Sequence, residues 1–164
     1  MAQVTLRGNP IATSGELPEV GSNAPDFTLT TAGMETVSLG DLSGERVVLN
    51  ISPSIDTAVC ATAVRAFNER ATELDDTRVL TVTADLPFAH ARFCGAEGIE
   101  TVTGASTFRS DFPDAYGVRM LEGPLAELTA RAVVVIDRDG TVLYTQLVPE
   151  IGEEPDYDAA LAAL

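Results

Sequence analysis

Up to residue 40, apolar residues come in short alternating stretches: QVTLRG (3–8), IATS (11–14), DFTLTT (26–31) and TVSL (36–39). Alternation at a period of two, broken by Asn9-Pro10 and Gly33, predicts short half-exposed strands, with the first turn at Asn9-Pro10. GSNAP (21–25) reads as a loop leading onward. From residue 46 the runs lengthen. RVVLNIS (46–52) is continuously apolar, as a strand covered on both faces would be. TAVCATAVRAFNERATELD (57–75) predicts a helix, with Cys60, Val64, Phe67, Ala71 and Leu74 on one face. TRVLTVTA (77–84) predicts a second buried strand, and FAHARFCGAEG (88–98) a short helix ended by Gly95 or Gly98. DFPDAYGV (111–118) predicts another helical turn. RAVVVID (131–137) and TVLYTQLV (141–148) flank Arg138-Asp139-Gly140, and Asp-Gly between apolar runs signals a hairpin. EEPDYDAALAAL (153–164) predicts a closing helix, with Pro155 near its start and acids in its first turn.

Strand, helix, strand, helix, then a strand hairpin and a helix is an α/β layout. It predicts a thioredoxin-like fold with an N-terminal β-strand extension. No internal boundary is evident, so residues 1–164 are expected to form one domain, with 1–40 as the strand extension and lead-in. A chain of 164 residues, 45% of them hydrophobic, hides roughly 70% of its extended surface on folding. Neither cross-links nor a metal are needed to hold such a core, and no repeat or low-complexity segment interrupts it.

The charge narrows the partners. The formal net charge is −15, and all ten basic residues are arginine. Such a field repels nucleic acid and anionic membrane surfaces, so neither is expected as a partner. The start, MAQVTLRGNP, lacks the charged n-region and apolar h-region of a signal peptide. No apolar run approaches the ~20 residues that span a bilayer. A cytoplasmic protein is expected. In that reducing compartment its two cysteines rest as thiols, and a disulfide between them would be catalytic before it was structural.

Cys60, in PSIDTAVC (53–60), opens a helix directly after a strand. It is a packing residue, a metal ligand or a nucleophile. With Asp56 or Thr57 as the cap, Cys60 falls in the first helical turn, where unpaired N–H groups and the helix dipole favour a thiolate. That placement alone does not make a fast enzyme. A free cysteine is about 3% thiolate at pH 7, and lowering a thiol pKa to about 6 raises that fraction roughly 30-fold. Nucleophilicity falls with basicity, at a slope of about 0.4–0.5, and cancels roughly 10-fold of the gain. The rest must come from donors aimed at the leaving oxygen. The Thr57 hydroxyl and the N–H groups of the turn are candidates, and Pro53 can shield the sulfur and fix the loop. A cationic donor is also wanted, and spacing does not choose among the ten arginines.

The segment resembles the PxxxTxxC active-site pattern of the peroxiredoxins. PSIDTAVCATAVRAFNE, ADLPFAHARFCGAEG, STFR, GPLAELTARAVVVID and EPDYDAAL together are similar, in order, to the thiol peroxidase branch of the atypical two-cysteine peroxiredoxins. The likeness runs from about residue 3 to the end. It implies that Cys60 is the peroxidatic nucleophile, that Thr57 hydrogen-bonds at its sulfur and the peroxide, and that Pro53 shields the pocket. It further implies that Arg131 is the cationic donor and Cys94 the resolving cysteine. Ala58 departs from the family, which commonly has Pro there, so a rigid residue is lost where the helix begins.

The reaction so implied reduces hydrogen peroxide and alkyl hydroperoxides. Cys60 attacks, a sulfenic acid forms, and Cys94 condenses with it to an intramolecular disulfide that thioredoxin reduces. No cofactor or metal is required, and the resemblance implies a homodimer with a preference for organic, apolar hydroperoxides. Bridging needs Cα atoms within about 7 Å. Two cysteines on separate helices therefore predict local unwinding during turnover, with Gly95 and Gly98 marking where the chain gives way. His90, the only histidine, lies four residues before Cys94 and is expected to be a solvated helix residue. A Cys60, His90 and Cys94 metal site finds no second motif in its support. The competing reading is a non-catalytic thioredoxin-fold redox sensor or binding protein.

Overall fold

In the computed structural model, which describes residues 1–164, β1 (Gln3–Leu6) and β2 (Asn9–Ala12) form an antiparallel hairpin. Its turn is Arg7-Gly8, not the expected Asn9-Pro10. Both turn residues have positive φ, 51° at Arg7 and 82° at Gly8, as tight hairpin turns of the primed type demand. Pro10 lies opposite Thr5, one pair beyond Leu6 and Asn9, which close the turn. Alternate antiparallel pairs exchange no hydrogen bonds, so the missing proline N–H costs nothing there.

The main sheet contains β3 (Thr28–Thr31), β4 (Thr36–Ser38), β5 (Arg46–Ile51), β6 (Thr77–Thr83), β7 (Val102–Ser106), β8 (Ala132–Ile136) and β9 (Val142–Leu147). Their order across the sheet is β4-β3-β7-β6-β5-β8-β9. β5, β6 and β7 run parallel, and the flanking strands are antiparallel to their neighbours. The crossovers that parallel pairs require are α1 (Ala58–Ala71) and α2 (Pro87–Glu97). A short α3 (Phe112–Ala115) follows β7, and α4 (Tyr157–Ala162) closes the chain, capped by Asp156, whose side chain accepts from the Ala159 N–H at 3.0 Å.

α1 stops short of expectation, at Ala71, leaving Leu74 in the following turn. α2 ends at Gly98, one of its two expected stops, in the left-handed conformation at φ 66°. The strand β7, VTGAS, was not expected at all: only Val102 in it is both bulky and apolar, so it carries no strand signal.

Alternation along β5 splits the core in two. Val47, Leu49 and Ile51 face one side, against Phe27, Phe112 and Tyr116. Val48 faces the other, against Val64 and Phe67 of α1, Phe93 of α2 and Ala160 of α4. Asn50 and Ser52 share Val48's side by the same alternation. A third cluster, Val4, Ile11, Met120, Ala130 and Ile151, seats the N-terminal hairpin. The Thr5 N–H donates to the Pro149 carbonyl at 2.7 Å, and the Ile151 N–H to the Thr5 carbonyl at 2.9 Å. That anchorage fixes the hairpin beside the start of β8, where the cysteine helix begins. The architecture is thioredoxin-like, with an N-terminal strand extension.

Candidate active site

The loop between β5 and α1 is organised by Ser54. Its carbonyl accepts the Thr57 N–H at 3.2 Å and the Thr57 hydroxyl at 3.1 Å, while its own Oγ accepts the Asp56 N–H at 3.1 Å. Thr57 is the helix cap. Its backbone is extended (φ −93°, ψ 148°) and its Oγ1 accepts the Cys60 N–H at 3.4 Å. Of the two expected caps, Thr57 takes the role and Asp56 instead pairs with Arg92 of α2. Ala58 is the first helical residue and is exposed. Proline favours that position. With alanine there, the helix start rests on the Thr57 cap and the Ser54 turn.

Cys60 is wholly buried as a free thiol, three residues past the cap. Its sulfur accepts a hydrogen bond from Arg131 Nη2 at 3.3 Å. Arg131 lies just before β8, is 2% exposed, and also donates from Nε to the Ile151 carbonyl at 2.9 Å. Its Nη1 has no partner, and no carboxylate pairs with the guanidinium. A buried cation whose only side-chain hydrogen-bond partner is a sulfur is costly unless negative charge develops beside it.

Pro53 is buried in the wall of an open cleft of about 840 Å³, which Thr57, Ala58, Val59 and Arg131 also line. The opposite wall is apolar and comes from the N-terminal hairpin and later loops: Leu6, Pro10, Ile11, Pro124, Leu125 and Ile151. The cleft's acids are committed to that wall. Glu150 accepts from the Arg7 N–H at 2.6 Å and from the Thr5 hydroxyl, and Glu122 accepts from the Ala12 N–H at 3.1 Å.

The structure thus gathers Pro53, Thr57, Cys60 and Arg131 at one end of the sheet. Cys94 stands apart on α2, half-buried against the α1-facing core, and both cysteines are free with both helices intact. Burial pushes the Cys94 thiol pKa up, opposed in part by a hydrogen bond from the Gly104 backbone.

His90 is not solvated. It is 1% exposed, with Nε2 at 2.9 Å from Thr83 Oγ1. Gly104 of β7 makes room for it: an added Cβ there would lie 2.7 Å from His90 Nδ1. His90 faces Thr83 while Cys60 faces Arg131, so no shared ligand set with Cys94 is built. Asp85 was not singled out in the sequence, yet its carboxylate accepts from the Ser54 hydroxyl and the Ile55 N–H, both at 2.8 Å. Contacts between residues thirty positions apart have no local signature that could have marked them.

The Redoxin family profile matches residues 19–161. The chain is 60% identical over 164 residues to the thiol peroxidase of Mycobacterium tuberculosis, covering all of this chain and 99% of that protein. It is 56% identical, with the same coverage, to the thiol peroxidase of Corynebacterium glutamicum. Its fold is similar to the crystal structure of a peroxiredoxin-like protein from Aquifex aeolicus, at a TM-score of 0.94 and 41% identity, covering 99% of this chain and 95% of the other. The fold, the burial of one cysteine against an arginine at a helix start, and a likeness to these proteins that runs the full length of the chain lead to one conclusion: the chain belongs to the Redoxin family, within the thiol peroxidase branch of the peroxiredoxins.

Proposed function

We propose that this peroxidase reduces hydrogen peroxide and organic hydroperoxides through Cys60, with Cys94 resolving and thioredoxin returning both to thiols. The observation that carries the reading is the Arg131 Nη2 contact to the Cys60 sulfur beside an apolar-walled cleft. The Cys60 thiolate attacks the distal peroxide oxygen, the O–O bond breaks, and the departing alkoxide or hydroxide takes a proton to leave as alcohol or water. Arg131, with its unpaired Nη1, is the donor for the charge developing on that oxygen. Pro53 shields the sulfur. In the resting state the Thr57 hydroxyl is bonded to the backbone on both sides, so it serves the peroxide by turning from the Ser54 carbonyl. Cys94 then attacks the sulfenic sulfur, water leaves, and the 60–94 disulfide forms. A dithiol thioredoxin reduces it by exchange and is itself oxidised.

The apolar wall supports a preference for organic hydroperoxides. The exposed Leu86, Phe88 and Phe108 near the start of α2 are the surface a second copy would cover in the homodimer we propose. The hairpin's anchorage on the body supports residues 1–164 acting as one domain, and we place the protein in the cytoplasm.

Peroxide consumption with a thioredoxin system tests the reading, comparing cumene hydroperoxide with hydrogen peroxide. Cys60→Ser should abolish turnover. Intact activity in that variant would sink the role of Cys60. After one equivalent of peroxide, non-reducing mass spectrometry should find the 60–94 bond; a lasting Cys60 sulfenic acid with Cys94 still alkylatable would remove Cys94 from the mechanism.

A further inference from the structure

Two segments must cooperate if the two-cysteine chemistry proposed above holds, and one part-buried carboxylate bonds to both sides. Asp85 lies in the link between β6 and α2. Its Oδ1 accepts the Ser54 hydroxyl at 2.8 Å, and its Oδ2 accepts the Ile55 N–H at 2.8 Å and the Thr83 hydroxyl at 2.7 Å. A hydroxyl has one proton. With that of Thr83 given to Asp85, His90 of α2 is the donor to Thr83 from Nε2, at 2.9 Å. On the other side, the Ser54 carbonyl accepts the Thr57 hydroxyl, and Thr57 Oγ1 accepts the Cys60 N–H. Hydrogen bonds and one short stretch of backbone at Ser54 therefore run from His90, four residues before Cys94, to the peptide of Cys60. The Asp85 carbonyl is itself held by the Ser106 hydroxyl of β7.

We propose that Asp85 is a positioning residue that couples the shape of the peroxide-binding loop to the integrity of the resolving helix. While it grips Ser54 and Ile55, Pro53 and Thr57 stand where peroxide attack at Cys60 needs them. Disulfide formation needs Cys60 and Cys94 to leave their helices, and the Asp85 contacts are what must let go. Asp85 thus sets the balance between the reaction with peroxide, which uses the closed loop, and resolution, which uses the open one. Two further links join these segments at the surface: Asp56 with Arg92, exposed on both sides, and, farther from the peroxide loop, Arg65 of α1 with Glu97 near the end of α2. Solvent screens such pairs, and neither pair includes the loop residues Pro53 to Ile55.

The test separates the two steps in single turnovers followed by quenched mass spectrometry. Asp85→Ala should slow Cys60 oxidation by cumene hydroperoxide about 10- to 100-fold, the range expected for a misplaced reacting group. Disulfide formation in the same variant should be as fast as in the unsubstituted chain or faster, and excess peroxide should give less sulfinic acid. Asp85→Asn, which keeps an acceptor for the Ile55 N–H, should restore part of the oxidation rate. Unchanged oxidation overturns the proposal, as does an equal loss in both steps. If Asp85→Ala does not fold, Ser54→Ala removes the Oδ1 arm, together with the Asp56 N–H contact to the same hydroxyl, and carries the same expectations. Amide hydrogen exchange on the reduced protein needs no peroxide. Asp85→Ala should speed exchange across 55–60 and in the first turns of α2 together, and an effect confined to Ile55 overturns the coupling. A Cys60 that oxidises no faster than free cysteine in the unsubstituted chain would defeat the peroxidase reading, and the exchange comparison would still decide the role of Asp85.

Discussion

The Arg131 guanidinium donates from Nη2 to the Cys60 sulfur across 3.3 Å, with both side chains all but sealed from solvent. Its Nε is tied to the Ile151 carbonyl, so the planar group cannot swing away, and Nη1 stays free for a second acceptor. Arginine here supplies fixed direction as well as charge.

Replacing Arg131 should therefore separate catalysis from folding. Arg131→Met should lower the second-order rate of Cys60 oxidation about 100- to 1000-fold, as loss of an aimed donor does. Its thermal stability should be kept or raised, because an apolar side chain removes a buried cation that no carboxylate pairs. Arg131→Lys should fall between, keeping charge without the fork. Stopped rates and a thermal melt on the same samples check both. A melt that collapses along with the rate would make Arg131 a folding residue.

Thr57 holds the loop and begins the helix. Thr57→Val keeps the shape but loses the cap, which should cost about 1 kcal/mol in urea unfolding. Its peroxide reaction should fall by more than that stability loss can explain. Thr57→Ser, which keeps the hydroxyl, should retain most of both. Equal activity in Val and Ser variants would leave the hydroxyl with no part in the chemistry.

Burial raises the Cys94 pKa above the usual thiol value, with the Gly104 backbone opposing. At neutral pH Cys94 in the intact helix is therefore a thiol, and its proposed attack on the sulfenic acid needs that proton gone. Because the bridge needs α2 to open, Cys94 titrates in water before it attacks, and single-turnover disulfide formation should level off near the ordinary thiol value. A rate that climbs on well beyond it would show that Cys94 attacks from the intact helix.

His90 ties folding stability to pH at the acid end. Burial lowers its pKa below the ordinary 6.5, with Asp85 opposing. The unfolded chain takes up a proton near 6.5 that the folded chain refuses until lower pH. Folding stability from this group is thus complete above 6.5, lost as pH falls through the folded pKa, and worth about 1.4 kcal/mol per unit of lowering. Urea unfolding at several pH values should show the loss, and His90→Gln should flatten it. An unchanged acid slope in that variant would assign the effect elsewhere.

What sequence reading could reach follows the range of the contacts. Pro53, Thr57 and Cys60 fall within eight residues, so strand, cap and first helical turn could be placed from their order alone. The buried strands 46–52 and 131–137 announce themselves by the apolar runs Val47–Leu49 and Ala132–Ile136. Arg131 is one arginine in ten, and only the likeness of its flanking block selected it, since nothing local distinguishes a guanidinium that meets a sulfur 71 positions away. β7 stayed hidden because its middle must be small: Gly104 is where His90 rests. His90 was misplaced for the same reason, as an exposed or buried face of α2 cannot be chosen without knowing which strand lies under it. The Arg7-Gly8 turn shows a local signal losing to another, since proline is tolerated in a strand where no N–H is asked of it.

The N-terminal hairpin walls the cleft through Leu6, Pro10 and Ile11, yet holds none of the groups gathered at the sulfur. Its strands belong to no part of the main sheet. On the proposed function, the surface that meets a peroxide's organic part and the groups that meet its oxygens lie in separate stretches of chain. Side chains along the first dozen residues could then change, and with them the fit to different hydroperoxides, without touching Thr57, Cys60 or Arg131.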